Sequence, residues 1–267
     1  MAKKRLDVIL VERALVLTRT KAQALIMAGQ VTVNGQKADK AGMQYDENVD
    51  VTVHSGPPFV SRGGDKLAAA LSSFAINVKE RVAVDVGAST GGFTDCLLQA
   101  GIARVYAIDV GYGQLAHKLR EDKRVVVMER TNARHVETLP EPIELVVIDA
   151  SFISLTLLLP VVRRWLIEGA DVIVLIKPQF EAGKSDIGKK GVVRQPEVHA
   201  QVLSSVLRTS QDLGYSVRGL MASPIRGLKE GNREFLAWLR WKAPTEETEV
   251  SIDIDHEIAH VTGLLDK

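Results

Sequence analysis

The chain is predicted to be an α/β protein: a seven-stranded doubly wound sheet, last strand antiparallel, preceded by a small N-terminal α+β module. Three observations carry this expectation. Beyond residue 80, short runs rich in β-branched residues alternate with helical periodicity, the rhythm of βαβ units. Within that region, Arg81-Val-Ala-Val-Asp-Val-Gly-Ala-Ser-Thr-Gly-Gly-Phe-Thr-Asp95 reads as a buried strand turning through glycines into a helix. The first 40 residues differ in charge: Lys3, Lys4, Arg5, Arg13, Arg19, Lys21, Lys37 and Lys40 stand against Asp7, Glu12 and Asp39, whereas all 267 residues sum to +1.

In order along the chain, Leu6, Ile9, Leu10 and Leu17 outline a first amphipathic helix. Thr18 or Thr20 caps a second, covering residues 21–28 and stopped by Gly29. A strand at 31–33 leads into Asn34-Gly35, a strong hairpin signal, and residues 40–46 read as a link to an alternating strand at 49–53. His54-Ser-Gly-Pro-Pro58 breaks all periodicity. Leu67, Ala70, Leu71 and Phe74 mark a helix after Gly64. Strands are then expected at 82–86, 104–109, 125–129, 144–149, 171–177, 216–222 and 233–241, with helices between them, including 154–166 and 196–213. The last strand follows its predecessor without a crossover helix, so it pairs antiparallel. Ile258, Val261, Leu264 and Leu265 outline a terminal helix.

Composition excludes several classes. A single cysteine, Cys96, rules out an internal disulfide framework and fits a reducing, cytoplasmic setting; its apolar helix makes it a packing residue. The N-terminus has no apolar run of the kind a secretion signal needs. The most membrane-like window, 145–162, holds Asp149 and Pro160 and divides into a strand and a helix, so no membrane partner is expected. His256-Glu-Ile-Ala-His260 matches a zinc-protease pattern but lacks room downstream for a third ligand, so no metal is expected.

The chemistry concentrates at the glycine turn. Glycines there let backbone N–H groups approach a ligand, and about twenty residues on, Asp109 ends a second strand, where an acid accepts hydrogen bonds from a ribose diol. This points to a nucleoside-bearing cofactor. The spacing Gly87-x-x-x-Gly91-Gly92 does not fit the dinucleotide fingerprint, and an acid inside the strand, Asp85, favours S-adenosylmethionine (SAM), whose methionine end is cationic. Four further polar residues stand out against apolar sequence: Lys66, Asp149, Lys177 and Glu234. Ligands in open α/β sheets sit beyond the carboxyl ends of the strands, so Asp149 and Lys177 are expected to flank one crevice. Lys177 is a candidate proton acceptor for methylation of an alcohol; a structural ion pair with Asp149 is the bland alternative.

Two resemblances extend this reading. Arg5-Leu-Asp7, Thr18-Arg19, Ala22, Leu25-Ile26, Gly29-x-Val31-x-Val33-Asn-Gly35 and Lys40 resemble the S4 RNA-binding domain. This implies that Arg5, Arg19, Lys21 and Lys37 face RNA. Lys66, Asp149, Lys177 and Glu234 together resemble the Lys-Asp-Lys-Glu tetrad of FtsJ-like ribose 2′-O-methyltransferases. Ser61-Arg-Gly-Gly-x-Lys66-Leu, Asp85-x-Gly-Ala-Ser-Thr-Gly-Gly-Phe-Thr94, Asp109-Val-Gly-Tyr-Gly-Gln-Leu115, Glu129-Arg-Thr-Asn-Ala-Arg134, Ser151-Phe-Ile-Ser154 and Lys177-Pro-Gln-Phe-Glu181 are similar to signatures of the TlyA family, historically labelled haemolysins.

The resemblance implies a Rossmann-like class I SAM methyltransferase acting on cytidine 2′-hydroxyls of ribosomal RNA. Lys177 would be the proton acceptor, with Lys66, Asp149 and Glu234 orienting it and the ribose. Asp85, Gly87, Ser89, Thr90, Gly91, Gly92, Phe93, Asp109, Val110 and Asn132 would hold SAM. Residues 1–56 are expected to form the S4-like domain, 57–60 a proline-stiffened linker and 61–267 the methyltransferase domain. Gly183 to Gly191, rich in glycine and lysine, reads as a mobile loop contacting RNA backbone through Lys184, Lys189 and Lys190, with Arg62 and Arg194 on the same surface. A monomer is expected. The rival readings are a non-catalytic ribosome-assembly factor and, from the old family label, a cytolysin.

Overall fold

The computed structural model describes residues 3–54, 56–183, 186–188, 191–227, 231–242 and 252–265, in two units, Met1–Pro58 and Phe59–Lys267. The first unit runs β1 (Lys3–Arg5), α1 (Leu6–Glu12), α2 (Arg19–Met27), β2 (Val31–Val33), β3 (Gln36–Lys37), β4 (Gln44–Asp46) and β5 (Val51–Val53). Antiparallel pairs make a three-stranded sheet in the order β3-β2-β5 and a separate pair, β1 with β4. Leu6, Leu10, Val16, Ala22, Ile26, Val31 and Val33 form its core. Thr18 caps α2, its hydroxyl accepting from the Lys21 N–H.

Two expectations for this unit are corrected. Leu17 does not belong to the first helix. That helix closes at Glu12, Ala14 takes a positive φ of 53°, and the N–H groups of Leu15 and Val16 both turn back to the Leu10 carbonyl. Helical phase is lost there, so Val16 is buried and Leu17 is 97% exposed. The stretch 40–46 is not a plain link either; it contains β4, a three-residue strand too short to show alternation and needed to pair the start of the chain.

The second unit contains α3 (Gly63–Ser73), β6 (Val82–Val86), α4 (Gly92–Gln99), β7 (Arg104–Ile108), α5 (His117–Arg120), β8 (Val125–Met128) and β9 (Ile143–Ile148). It continues with α6 (Leu155–Val162), β10 (Leu166–Ile176), α7 (Pro178–Glu181), α8 (Pro196–Asp212), β11 (Tyr215–Ala222), β12 (Phe235–Trp241) and α9 (Ile254–Thr262). Seven strands form one sheet in the order β11-β12-β10-β9-β6-β7-β8. As predicted, the last strand is the antiparallel one, inserted between β10 and β11.

The strands are buried on both faces, and their alternation assigns each residue to a side. Val84, Val86, Val146, Ile148, Val172 and Val174 pack with α6, α8 and α9 through Leu158, Leu203, Leu207 and Ile258. Ala83, Leu145, Val147, Ile173 and Leu175 pack with α3, α4 and α5 through Leu67, Leu97 and Leu119. The helix expected at 154–166 ends at Val162; Leu166 already pairs with Ile143, and the register shifts before Asp171, so β10 starts earlier than its apolar run.

Cys96 is buried among α4 residues, and burial pushes its thiol up to about 12, as suits packing. His256 and His260 are exposed on α9, each 4.0 Å from Glu257. Among the described residues no cluster of three potential ligands exists to hold a metal, and no helix is long and apolar enough to cross a membrane.

Candidate active site

Strand register brings the predicted residues to one end of the sheet. Asp85 lies in β6, and Asp109, Asp149 and Lys177 each follow the last residue of β7, β9 and β10. Glu234 immediately precedes antiparallel β12, one position beyond the Ile176–Phe235 pair, which puts it beside Lys177 across the ladder. Lys66 reaches the same end from the first turn of α3.

The four tetrad residues form two close ion pairs. Lys66 Nζ donates to Glu234 Oε2 at 2.5 Å, and Lys177 Nζ lies 2.5 Å from Asp149 Oδ1 while donating to Ser151 Oγ at 3.0 Å. Both lysine side chains are only 10% exposed, so their heads depend on these partners for hydrogen bonds. Lys177 sits at a break in the chain direction: it precedes α7, whose Pro178 occupies the first helical position. Asp149 Oδ1 and Ser151 Oγ occupy two of the three tetrahedral positions that remain around Nζ after its bond to carbon, leaving one for another group.

The turn after β6 is built around Gly87. Its φ is +84°, and a Cβ there would lie 2.7 Å from the backbone carbonyl oxygen of Asp149. The close approach of β6 to β9 at this point therefore excludes any side chain. Gly91, at φ +95°, begins α4, which Gly92 and Phe93 open; a Cβ there would meet the ends of Leu115 and Leu119. Ser89 and Thr90 lie exposed between these glycines, where Ser89 takes a φ of +50° and the Thr90 carbonyl accepts from the Ala116 N–H.

Asp85 is fully buried. Its Oδ2 accepts from both the N–H and the hydroxyl of Thr94, at 3.0 and 2.6 Å, while Oδ1 has no partner. Burial raises its carboxyl to about 7 against the pull of the Thr94 hydrogen bonds, and the nearby charges of Asp149 and Asp109 push the same way. Three acids thus surround one glycine turn. That field repels a pyrophosphate and suits a cation.

Asp109 holds the adjoining loop: Oδ2 accepts from the Ser89 N–H and Oδ1 from the Gly111 N–H, each at 2.7 Å. Val110 and Tyr112 are exposed on this loop, and the Arg130 guanidinium stacks 4.1 Å from the Tyr112 ring centre. Asn132 accepts from the Arg134 N–H and helps line a surface hollow with Arg130, Thr131, His135 and Val136.

Of the residues expected to face RNA, Arg5 and Arg19 converge on Asp7, whereas Lys21 and Lys37 are exposed on α2 and β3. Arg62 and Arg194 are exposed, just before α3 and beside Val193, whose N–H is held by the Asn232 side chain. Lys184, Lys189 and Lys190 lie outside the described residues.

Three neighbours of the tetrad escaped sequence reasoning as individuals, although each lay inside a quoted motif. Ser151 holds Lys177. Glu181 caps α6, accepting from the Ser154 hydroxyl at 2.6 Å and the Leu155 N–H at 2.8 Å, and burial raises its carboxyl. Phe152 is 91% exposed at a φ of +63°, with its ring 4.9 Å from that of Phe180, which lies 5.8 Å from Lys177 Nζ. An exposed phenylalanine in a positive-φ conformation is an expensive arrangement, and its ring partner Phe180 lies 28 residues further along the chain.

Fold and site define an α/β class in which charged side chains gather at the strand ends of a seven-stranded sheet. The chain belongs to the FtsJ-like methyltransferase family, which it matches over residues 59–241, and it carries an S4 domain over residues 4–51. It is 47% identical over 240 residues to the 16S/23S rRNA (cytidine-2′-O)-methyltransferase TlyA of Mycobacterium tuberculosis (strain ATCC 25618 / H37Rv), covering 88% of this chain and 89% of the relative. It is 52% identical over 250 residues to YqxC of Bacillus subtilis (strain 168), named as a candidate rRNA methyltransferase, covering 92% and 88%. A solved structure from Streptococcus thermophilus, named as a candidate hemolysin, superposes with a TM-score of 0.72 at 42% identity and covers 100% of this chain and 98% of that one.

Proposed function

We propose that this protein methylates the ribose 2′-hydroxyl of cytidine in ribosomal RNA, using SAM. The observation that carries the reading is the pair of lysine–carboxylate contacts at the strand ends, with Lys177 Nζ held by Asp149 and Ser151 beside the acid-ringed glycine turn.

The residues fit SAM. Asp85 Oδ1 is a buried acceptor without a partner, which the cationic methionine end would satisfy directly or through water. Gly87 permits the close approach of β6 to β9 that keeps Asp149 beside the turn, and Asp109 retains lone pairs for a ribose diol. Ser89, Thr90, Gly91, Gly92, Phe93, Val110 and Asn132 complete the proposed cradle. When bound, SAM supplies a methyl group already activated by its sulfonium. The chain's task is then to place the alcohol oxygen in line and to take its proton. Lys177 must first release one proton to solvent; its neutral Nζ then accepts the hydroxyl proton, and Asp149 stabilises the ammonium so re-formed. Lys66, tied to Glu234, sets the neighbouring wall, and exposed Phe152 offers the target base a face on which to stack. The S4 unit, proposed as residues 1–56, binds RNA backbone; residues 57–60 link it to the catalytic unit.

Incubating the protein with tritium-labelled SAM and ribosomal subunits, then mapping the label, tests the reading. Label on cytidine ribose is expected; absence of label on every subunit, despite SAM and RNA binding, would favour the assembly-factor alternative.

Asp85 adds a pH dependence. A cation at Oδ1 favours the carboxylate, so SAM affinity is expected to be constant above about pH 7 and to weaken as pH falls through it. Calorimetry at pH 6 and pH 8 should show this, with proton release near neutrality, and Asp85→Asn should flatten the profile. In the ligand-free protein the sign reverses. The folded carboxyl holds its proton up to about pH 7 and the unfolded one only to 3.8, so this group's contribution to stability declines as pH rises across that window.

A further inference from the structure

Asp7 is charged, fully buried, and has no role in the reading above. It sits in the first turn of α1, where the helix dipole favours an acid. Its Oδ1 accepts from Arg5 Nε at 3.0 Å. Its Oδ2 accepts from Arg5 Nη2 at 2.9 Å, Arg19 Nε at 3.0 Å and Gln23 Nε2 at 2.7 Å. The Arg5 guanidinium, with Gln23 and Arg19, holds this carboxyl well below the usual carboxylate range despite its burial.

The consequence is geometric. Arg5 ends β1 and Arg19 begins α2, yet both guanidiniums are drawn to one carboxylate oxygen and so lie side by side. Their side chains remain 43% and 54% exposed. Nη1 of Arg5 and both Nη atoms of Arg19 have no hydrogen bond among the described residues. Two adjacent, orientationally fixed guanidiniums with spare donors form an arrangement suited to phosphate oxygens, which a planar fork grips better than a mobile ammonium does.

We propose that Asp7 is a positioning residue for RNA binding, locking Arg5 and Arg19 into a paired fork for backbone phosphate. The proposal rests on the ribosomal RNA reading. It makes a prediction opposite in sign to simple electrostatics. Asp7→Asn removes a negative charge from the basic module, so charge alone would tighten RNA binding. Positioning requires the reverse, because an amide cannot hold two guanidiniums and both regain rotamer freedom.

The test uses the full-length protein with ribosomal subunits and with deproteinised ribosomal RNA, over a range of salt. Asp7→Asn is expected to weaken binding by about tenfold and to make the slope of log affinity against log salt shallower by about one contact, despite the added positive charge. SAM affinity should be unchanged. Since Asp7 is buried, Arg5→Lys and Arg19→Lys serve as companions that keep charge but lose the fork; each should weaken RNA binding by about fivefold. Folding is checked by thermal melting. Equal or tighter RNA binding by a folded Asp7→Asn protein, or wild-type binding by both lysine variants, overturns the proposal. Failure of the wild type to bind ribosomal RNA overturns the underlying functional reading, and the proposal with it.

Discussion

Lys177→Met is expected to lower methyl transfer by about 10³-fold while leaving SAM affinity within about threefold. The substitution keeps most of the aliphatic stem and removes only the group held by Asp149 and Ser151. Asp149 remains 22% exposed, so water reaches the carboxylate left behind and the site should not collapse. The informative companion is Lys177→Arg. An arginine preserves the positive charge and can still pair with Asp149, but it does not give up its proton in proteins. If Lys177 accepts the proton of the ribose hydroxyl, both variants are equally impaired under single-turnover conditions. If the lysine acts only as a fixed charge, Lys177→Arg retains most activity and the proposed chemistry is wrong. Lys66→Met should also lower turnover, and the Lys66–Lys177 double variant should fall no further than about the worse single one, as happens when residues act as a unit.

Much of this arrangement was legible in the sequence because strand ends are where apolar runs stop. Asp109, Asp149 and Lys177 each end a run of residues buried on both faces, where the chain leaves the sheet and a charged side chain can reach the crevice. The antiparallel last strand was legible for a different reason: the loop sequence between the strands at 216–222 and 233–241 carries no helical periodicity from which to build a crossover. What could not be read was pairing over distance. Lys66 and Glu234 are separated by 168 residues, and only α3 packing against the sheet brings them together. The exposure of Phe152 depends on a single positive φ, which no local propensity for phenylalanine announces. In the smaller unit, Leu17 fitted a helical period that Ala14 breaks, because a backbone reversal leaves no hydrophobic signature. Asp7 was visible as part of a motif, but a motif does not say that its acid is the hub for two arginines.

Gly87→Ala is expected to be the most damaging single methyl addition at the site. A left-handed φ of +84° costs an alanine about 1–2 kcal/mol. The new Cβ would also stand 2.7 Å from the Asp149 carbonyl oxygen and 3.0 Å from its carbonyl carbon, both backbone atoms of the neighbouring strand end. They can yield only if β6 and β9 separate, which moves Asp149 away from Lys177. Strain and overpacking together should cost about 3 kcal/mol, a fall in melting temperature of about 8 °C for a unit of this size. Gly91→Ala provides the contrast. Its φ is equally unfavourable at +95°, and its Cβ would come even closer to a neighbour, 2.2 Å, but that neighbour is the methyl end of Leu119, which can rotate. Gly91→Ala should therefore lose about 1–2 kcal/mol, mostly backbone strain, and keep the Lys177–Asp149 contact. Calorimetric melts rank the two variants, and SAM titration separates stability from binding. Equal losses would mean that the β6–β9 junction relaxes without disturbing Asp149. A larger loss at Gly87, accompanied by transfer activity lower than SAM occupancy explains, would show that the glycine is needed to keep the cofactor turn and the proton-accepting lysine in one frame.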